Sequence, residues 1–91
     1  MTVPAPVPAR LTLRYFAWLR ERVGEPSETV ETGAATVGEL VEELKGREER
    51  YALAFADMRA VRVAVDQEMA DYAAPLAGVR EVAFFPPMTG G

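Results

Sequence analysis

A capped amphipathic segment in the middle of the chain, residues 36–46, constrains the fold more than any other feature. Thr36 and Glu39 stand at the spacing of a capping box, in which each side chain accepts a hydrogen bond from the other residue's backbone amide. Four aliphatic residues then recur at helical spacing and form one apolar stripe: Val37, Leu40, Val41 and Leu44. Gly46 is a natural end for this helix. The fold must therefore supply a second layer that covers the stripe.

Segments of alternating apolar and polar residues lie on both sides of this helix. A period of two is typical of strands with one buried face. The predicted strands are Arg10 to Phe16, Glu28 to Glu31, Val61 to Val65, Met69 to Tyr72 and Arg80 to Phe85. Because strands both precede and follow one dominant helix, we predict an α+β fold, in which a mixed sheet of four to five strands packs on that helix.

Two shorter segments are predicted to be helical turns. Ala17 to Val23 has room for one or two turns before Gly24 ends them, and Glu48 to Phe55 predicts a short helix or turn that brings two rings near the core. Prolines at positions 4, 6 and 8 exclude a helix or a strand ladder at the N-terminus. We therefore expect a flexible Pro-rich arm (1–9), one folded domain (10–86) and a C-terminal tail (87–91).

The C-terminal stretch begins as a strand and ends as a thin arm. Pro86-Pro87 fixes the direction in which the arm leaves, and Gly90-Gly91 has no side chains, so that its backbone fits a narrow channel. This tail contains no nucleophile, base or metal ligand apart from its terminal carboxylate. We therefore interpret that carboxylate as the working group, which a partner must activate.

Composition excludes several classes of function. The chain has no cysteine and no histidine, so it has no disulfide, thiol nucleophile, imidazole base or ordinary zinc site. A net charge of −4 disfavours binding to nucleic acids and to anionic membranes. Neither a signal-peptide pattern nor an apolar run of membrane-spanning length is present, and we expect a cytoplasmic location.

The alternation of the strands predicts an apolar surface on the outer side of the sheet. If Tyr15 and Phe84 face the helix, then Phe16 and Phe85 must point away from it. Aromatic rings on the outer face indicate a docking patch, which Met69 joins if the edge strand continues the same surface. The alternative is that the sheet twist or residues 17–23 cover these rings.

Several stretches resemble one family. They are Tyr15-Phe16-Ala17, Leu19-Arg20-Glu21, Tyr51-Ala52-Leu53-Ala54, Ala64-Val65-Asp66-Gln67 and, most specifically, Phe84-Phe85-Pro86-Pro87-Met88-Thr89-Gly90-Gly91. From about Leu11 to Gly91 the chain resembles the small subunit of molybdopterin synthase (the MoaD family). This resemblance implies a ubiquitin-like β-grasp fold and a sulfur carrier for molybdenum cofactor biosynthesis that is not an enzyme by itself.

The resemblance also implies roles for individual residues. Gly91 would be adenylated and converted to a thiocarboxylate, and the tail residues would enter the partner: Gly90, Thr89, Met88, Pro87 and Pro86. Phe16, Met69 and Phe85 would contact partners, and Arg20 would pair with a partner carboxylate or remain a plain surface charge. The chain itself would bind neither metal nor cofactor, since the activating enzyme consumes the ATP.

The partners implied by the resemblance are a large synthase subunit (MoaE-type), in a heterotetramer, and an ATP-dependent E1-like adenylating enzyme (MoeB-type).

The chain departs from the family pattern before its last strand, where Val79-Arg80 replaces a usual Gly-Asp turn and Gly78 lies one position early. Two alternatives stay open. One is a related carrier or modifier for thiamine or tRNA thiolation or protein conjugation, and the other is a non-covalent β-grasp interaction module.

Overall fold

The computed structural model describes residues 9–87. The predictions for residues 1–8 and for Met88 to Gly91 therefore lie outside the described residues. Within the described part, five strands and three α-helices follow one another in the predicted order. The strands are β1 (Ala9–Tyr15), β2 (Ser27–Thr32), β3 (Arg62–Val65), β4 (Glu68–Ala70) and β5 (Glu81–Phe85). The helices are α1 (Trp18–Val23), α2 (Val37–Arg47) and α3 (Glu49–Ala54), and a short 3-10 helix spans Met58–Ala60.

The five strands form one mixed sheet in the order β2-β1-β5-β3-β4. The β1–β5 pair is parallel, with Leu13 opposite Val82, and the other neighbouring pairs are antiparallel. The strand nearest the C-terminus therefore lies in the middle of the sheet and is hydrogen-bonded on both sides. Its position fixes the root of the tail to the most constrained part of the fold.

The core lies between the sheet and α2. The apolar stripe of α2 is buried, and Thr36 and Glu39 make the predicted capping box. Phe84 of β5 is fully buried, with its ring centroid 5.9 Å from that of Tyr15 and 4.9 Å from that of Phe55. Truncation of such a ring to alanine costs about 3–5 kcal/mol. The inward face of the sheet thus agrees with the alternation in the sequence.

Several predicted boundaries are wrong by one or two residues. The edge strand β4 spans Glu68–Ala70 rather than Met69 to Tyr72, because only these three residues pair with β3. The helix does not stop at Gly46 but continues to Arg47, since this glycine keeps helical geometry and an extended Glu48 separates α2 from α3. The first strand begins at Ala9 rather than at Arg10, because Ala9 pairs with Thr32 of β2. The predicted end of α1 is confirmed. Gly24 has a φ of 94°, and its backbone amide donates a hydrogen bond to the carbonyl oxygen of Arg20.

The bend before β5 has its own anchor. Gly78 has a φ of 76°, a backbone conformation that favours glycine. The anchor is Asp66, which lies in the two-residue turn between β3 and β4. Asp66 Oδ1 accepts hydrogen bonds from the amides of Arg80 and Glu81, both at 3.0 Å. The departure at Val79-Arg80 therefore leaves β5 paired with both of its neighbours.

One carboxylate faces the core side of the sheet. Glu28 of β2 lies opposite Leu13, so its side chain is on the same face as the core residues. The hydroxyls of Tyr15 and Tyr51 both donate to Glu28 Oε2, and Arg50 approaches Glu28 Oε1 at 3.9 Å. This cluster joins β1, β2 and α3 at the rim of the core.

Candidate functional site

The root of the tail is held rigidly. Phe84 is buried, and its carbonyl accepts a hydrogen bond from the amide of Phe16 at 3.1 Å. Pro86 and Pro87 follow β5 and are half-buried. Since both prolines have restricted backbone angles, they carry the direction of the central strand onward. The predicted tail beyond Pro87 lies outside the described residues.

Three large apolar side chains share the outer face of the sheet. Phe16 is 43 % exposed, Met69 is 69 % exposed, and Phe85 is half-buried. Between them, the strand register puts Ala83, Ala64 and Met69 side by side on this face, because Ala64 lies opposite both Ala83 of β5 and Met69 of β4. We call Phe16, Met69 and Phe85, with the two alanines between them, the outer-face patch. The register agrees with the predicted outward direction of Phe85 and Met69, and Phe16 is partly exposed. The role of all three as partner contacts stays a prediction.

An arginine borders the outer-face patch. Arg14 Cζ lies 5.7 Å from the centroid of the Phe16 ring, and its guanidinium approaches Glu81 at 3.5 Å. Arg20 is exposed on α1 and makes no ion pair among residues 9–87. Arg14, Ala64 and Ala83 were not among the predicted contact residues. The same alternation that placed Phe85 on the outer face could have found them.

A strained turn positions Phe16. Ala17 has a φ of 54° and a ψ of −131°, a conformation that favours glycine, and the amide of Leu19 donates to the Phe16 carbonyl at 3.2 Å. The turn joins β1 to α1 within a few residues. It thereby places Phe16 at the end of the outer face while Leu19 enters the core.

Two further kinds of candidate feature are absent from the described residues. Between residues 9 and 87, no group of three or more acidic side chains is arranged to hold a metal ion. No helix in this range has the length and hydropathy needed to cross a membrane. What the described residues do show is the end of β5 beside an exposed apolar face.

Comparison with known proteins decides the family. The ThiS family matches residues 13–91, a range that includes the whole sheet except the first residues of β1 and also the predicted tail. The chain belongs to the ThiS family. The resemblance seen in the sequence is thus confirmed at the level of family and fold.

Two proteins named as molybdopterin synthase sulfur carrier subunits are similar to this chain. It is 39 % identical over 77 residues to the molybdopterin synthase sulfur carrier subunit of Escherichia coli, covering 85 % of this chain and 94 % of that protein. It is 32 % identical over 81 residues to the subunit of the same name from Haemophilus influenzae, covering 89 % and 99 %. Both relatives are therefore matched over nearly their full length.

Solved structures agree with the ubiquitin-like β-grasp fold. SAMP1 from Haloferax volcanii has a TM-score of 0.69 and 27 % identity, covering 91 % of this chain and all of that one. A protein from Pyrococcus furiosus described as molybdopterin converting factor, subunit 1, has a TM-score of 0.66 and 26 % identity, covering 87 % and 98 %. The ThiS family chain thus has the predicted fold.

Proposed function

We propose that this chain is the sulfur carrier subunit of molybdopterin synthase. The observation that carries the proposal is its 39 % identity to the carrier subunit of Escherichia coli over 94 % of that protein. The family match that extends to Gly91 supports a working tail. In this role the chain is not an enzyme by itself, since it provides the reacting group and a surface that binds the enzyme.

The proposed chemistry takes place at the carboxylate of Gly91. The carboxylate attacks the α-phosphorus of ATP, which forms an acyl adenylate and releases pyrophosphate. A sulfur donor then displaces AMP and leaves a thiocarboxylate, whose sulfur passes to the molybdopterin precursor. Activation is needed because a carboxylate is a poor acyl donor until it is joined to a good leaving group. Gly90, Thr89, Met88 and the two prolines would serve as the arm.

The proposed partners would use both features of the described site, the end of β5 and the outer-face patch. A large subunit (MoaE-type) would hold the precursor and the acid–base groups, in a heterotetramer, and an E1-like adenylating enzyme (MoeB-type) would activate Gly91. Phe16, Met69 and Phe85 would supply apolar contact with both proteins, and Arg20 would pair with a carboxylate. We also keep the cytoplasmic location as a prediction.

Intact mass spectrometry tests the proposal. With the adenylating enzyme, ATP and a sulfur donor, the mass of the chain should rise by one sulfur-for-oxygen exchange. A chain lacking Gly91 should bind the large subunit as the wild type does but gain no sulfur. An unchanged mass in the complete reaction would refute the proposal, and so would full activity of the shortened chain.

A second candidate function is covalent protein modification. It is favoured by the structural likeness to SAMP1, since a solved structure describes that protein as small archaeal modifier protein 1. The two functions share activation of the terminal glycine and differ in what receives it. Conjugates of this chain to lysines in cell extracts would support the second function, whereas sulfur transfer in the presence of the large subunit would support the first.

A further inference from the structure

Two methionines lie among the described residues, and they differ in exposure. The sequence has four methionines and no cysteine, so thioethers are its only side-chain sulfur. Met69 is 69 % exposed, whereas Met58 is half-buried and packs against the core. A dissolved oxidant has to reach the sulfur atom before it reacts. Of these two thioethers, the one of Met69 is therefore the more reactive.

The neighbours of Met69 in the sheet leave its side chain uncovered. Strand β4 is an edge strand, so Met69 has another strand on one side only. Opposite Met69 on β3 is Ala64, and opposite Ala64 on β5 is Ala83. An alanine side chain ends at its β-carbon, so neither alanine extends over the thioether. The exposure of Met69 thus follows from the strand register.

A hydroperoxide oxidises a thioether by transfer of one oxygen atom. A lone pair of the sulfur attacks the terminal OH oxygen, so that a sulfur–oxygen bond forms and the oxygen–oxygen bond breaks. The leaving group takes the proton and departs as water or an alcohol. Sulfur is oxidised by two electrons, the peroxide is reduced, and methionine sulfoxide results. Because the chain has no cysteine, its reduction back to the thioether depends on a separate reductase.

The place of this thioether gives its oxidation a consequence. Met69 belongs to the outer-face patch, together with Phe16 and Phe85. The sulfoxide oxygen is polar and accepts hydrogen bonds, and an apolar surface that covers it would leave it unpaired at a cost in free energy. Met69 is not part of the buried core. Its oxidation therefore changes the docking surface while the fold stays intact.

We propose that Met69 is an oxidation site for hydroperoxides and that its sulfoxide weakens docking of the large subunit on the outer-face patch. This inference rests on the proposed function, to which it adds a reversible redox switch. The complex would shield the sulfur, so the free chain is the form that is oxidised. Peroxide would thereby hold back sulfur transfer without any change at Gly91.

Peptide mapping by mass spectrometry tests the oxidation site. Hydrogen peroxide is added to the chain with its ordinary terminal carboxylate, so that no thiocarboxylate consumes the reagent. Met69 should gain one oxygen several-fold faster than Met58. Saturating large subunit should slow the reaction of Met69 and leave that of Met58 unchanged. Equal rates for the two methionines in the free chain would refute the oxidation site.

Binding measured before and after peroxide treatment tests the switch. The affinity of the wild type for the large subunit should fall about tenfold on oxidation and return after treatment with methionine sulfoxide reductases. Met69→Leu has no sulfur at this position, so its affinity should be the same before and after peroxide. Met58→Leu is the matched control, and it should lose affinity as the wild type does. Each variant is compared with itself, so its basal affinity does not enter the comparison.

The outcomes separate the switch from the proposed function. If the reduced wild type does not bind the large subunit, both fail. If it binds and accepts sulfur, but peroxide weakens Met69→Leu as much as the wild type, then another residue causes the loss and only the switch is refuted. The switch is equally refuted if the wild type keeps its affinity once Met69 is shown to be oxidised.

Discussion

The hydroxyl of Tyr51 donates a hydrogen bond of 2.6 Å to the carboxylate of Glu28. The same carboxylate oxygen accepts from Tyr15 at 2.8 Å, so one acidic side chain links a helix, the edge strand and its neighbour. A carboxylate that faces the core is costly unless its oxygens are paired. Glu28 is therefore a structural residue, and it stabilises the end of the sheet that carries the tail.

Replacement of Glu28 should destabilise the fold. Glu28→Ala leaves two partly buried hydroxyls without their acceptor, and we expect a loss of about 2–4 kcal/mol in the free energy of unfolding. Glu28→Gln retains one acceptor oxygen and should lose less. Urea denaturation followed by circular dichroism measures both. Equal stability of Glu28→Ala and the wild type would contradict the role assigned to this cluster.

The tyrosines predict a loss of stability at alkaline pH. Burial, followed by the hydrogen bond and charge of Glu28, raises the pKa of Tyr15 and of Tyr51, and burial raises the pKa of Tyr72. Above the ordinary pKa of 10.0 the unfolded chain releases these protons while the folded chain keeps them. The contribution of these tyrosines to the free energy of unfolding should therefore be constant below about pH 10. Above that pH it should fall.

Urea titrations between pH 8 and pH 11 test this prediction. Tyr51→Phe removes one of the three tyrosines and should make the decline above pH 10 less steep, although it lowers stability at neutral pH. A decline of the same steepness in Tyr51→Phe and the wild type would show that other groups cause it.

Ala17 should tolerate glycine but not a branched side chain. Its positive φ is costly for residues with a β-carbon, and a β-branched residue adds further strain. Ala17→Val should lower the free energy of unfolding by about 1–3 kcal/mol, whereas Ala17→Gly should not lower it. Chemical denaturation of both variants gives the comparison. If valine and glycine were equally stable at this position, the strained turn beside Phe16 would be refuted.

Loss of one side chain from the outer-face patch should weaken binding without weakening the fold. Met69→Ser removes a residue that is 69 % exposed, so its thermal midpoint should change little. Its affinity for the large subunit should fall by about tenfold, the scale of one interface side chain. Glu68→Ser is the control, because Glu68 belongs to the same strand and lies on its other face. Similar affinities for the two variants would remove Met69 from the interface.

The sequence predicted those parts of the fold that depend on local pattern. The capping box at Thr36 and the alternation of β1 and β5 placed the main helix, the central strands and the outward rings. The end of α2 was missed because Gly46 has no positive φ there, and a glycine ends a helix only in that conformation. The 3-10 turn at Met58–Ala60 also escaped notice, although Asp57 caps it by accepting from the Arg59 amide.

The features that long-range packing creates were harder to foresee. Glu28 shares its face with Val30, so the alternation of β2 already pointed it inward, but its tyrosine partners lie 13 and 23 residues away. A shallow groove between α1 and α3 likewise joins Trp18 to Leu53 and Ala60, which no local spacing connects. The role of the tail came from its composition and from family likeness, since its residues beyond Pro87 lie outside the described structure.

The parallel pairing of β1 with β5 has a consequence for chains that are cut or incompletely made. Thr12 lies opposite Glu81, so the sheet closes only when segments almost seventy residues apart are both present. A fragment that ends before residue 81 loses its middle strand, and two hairpins with bare edges remain. Such a fragment should be cut by proteases more readily than the whole chain, because its strand edges and apolar faces are uncovered. The five-stranded sheet therefore forms only in chains that also contain the base of the tail.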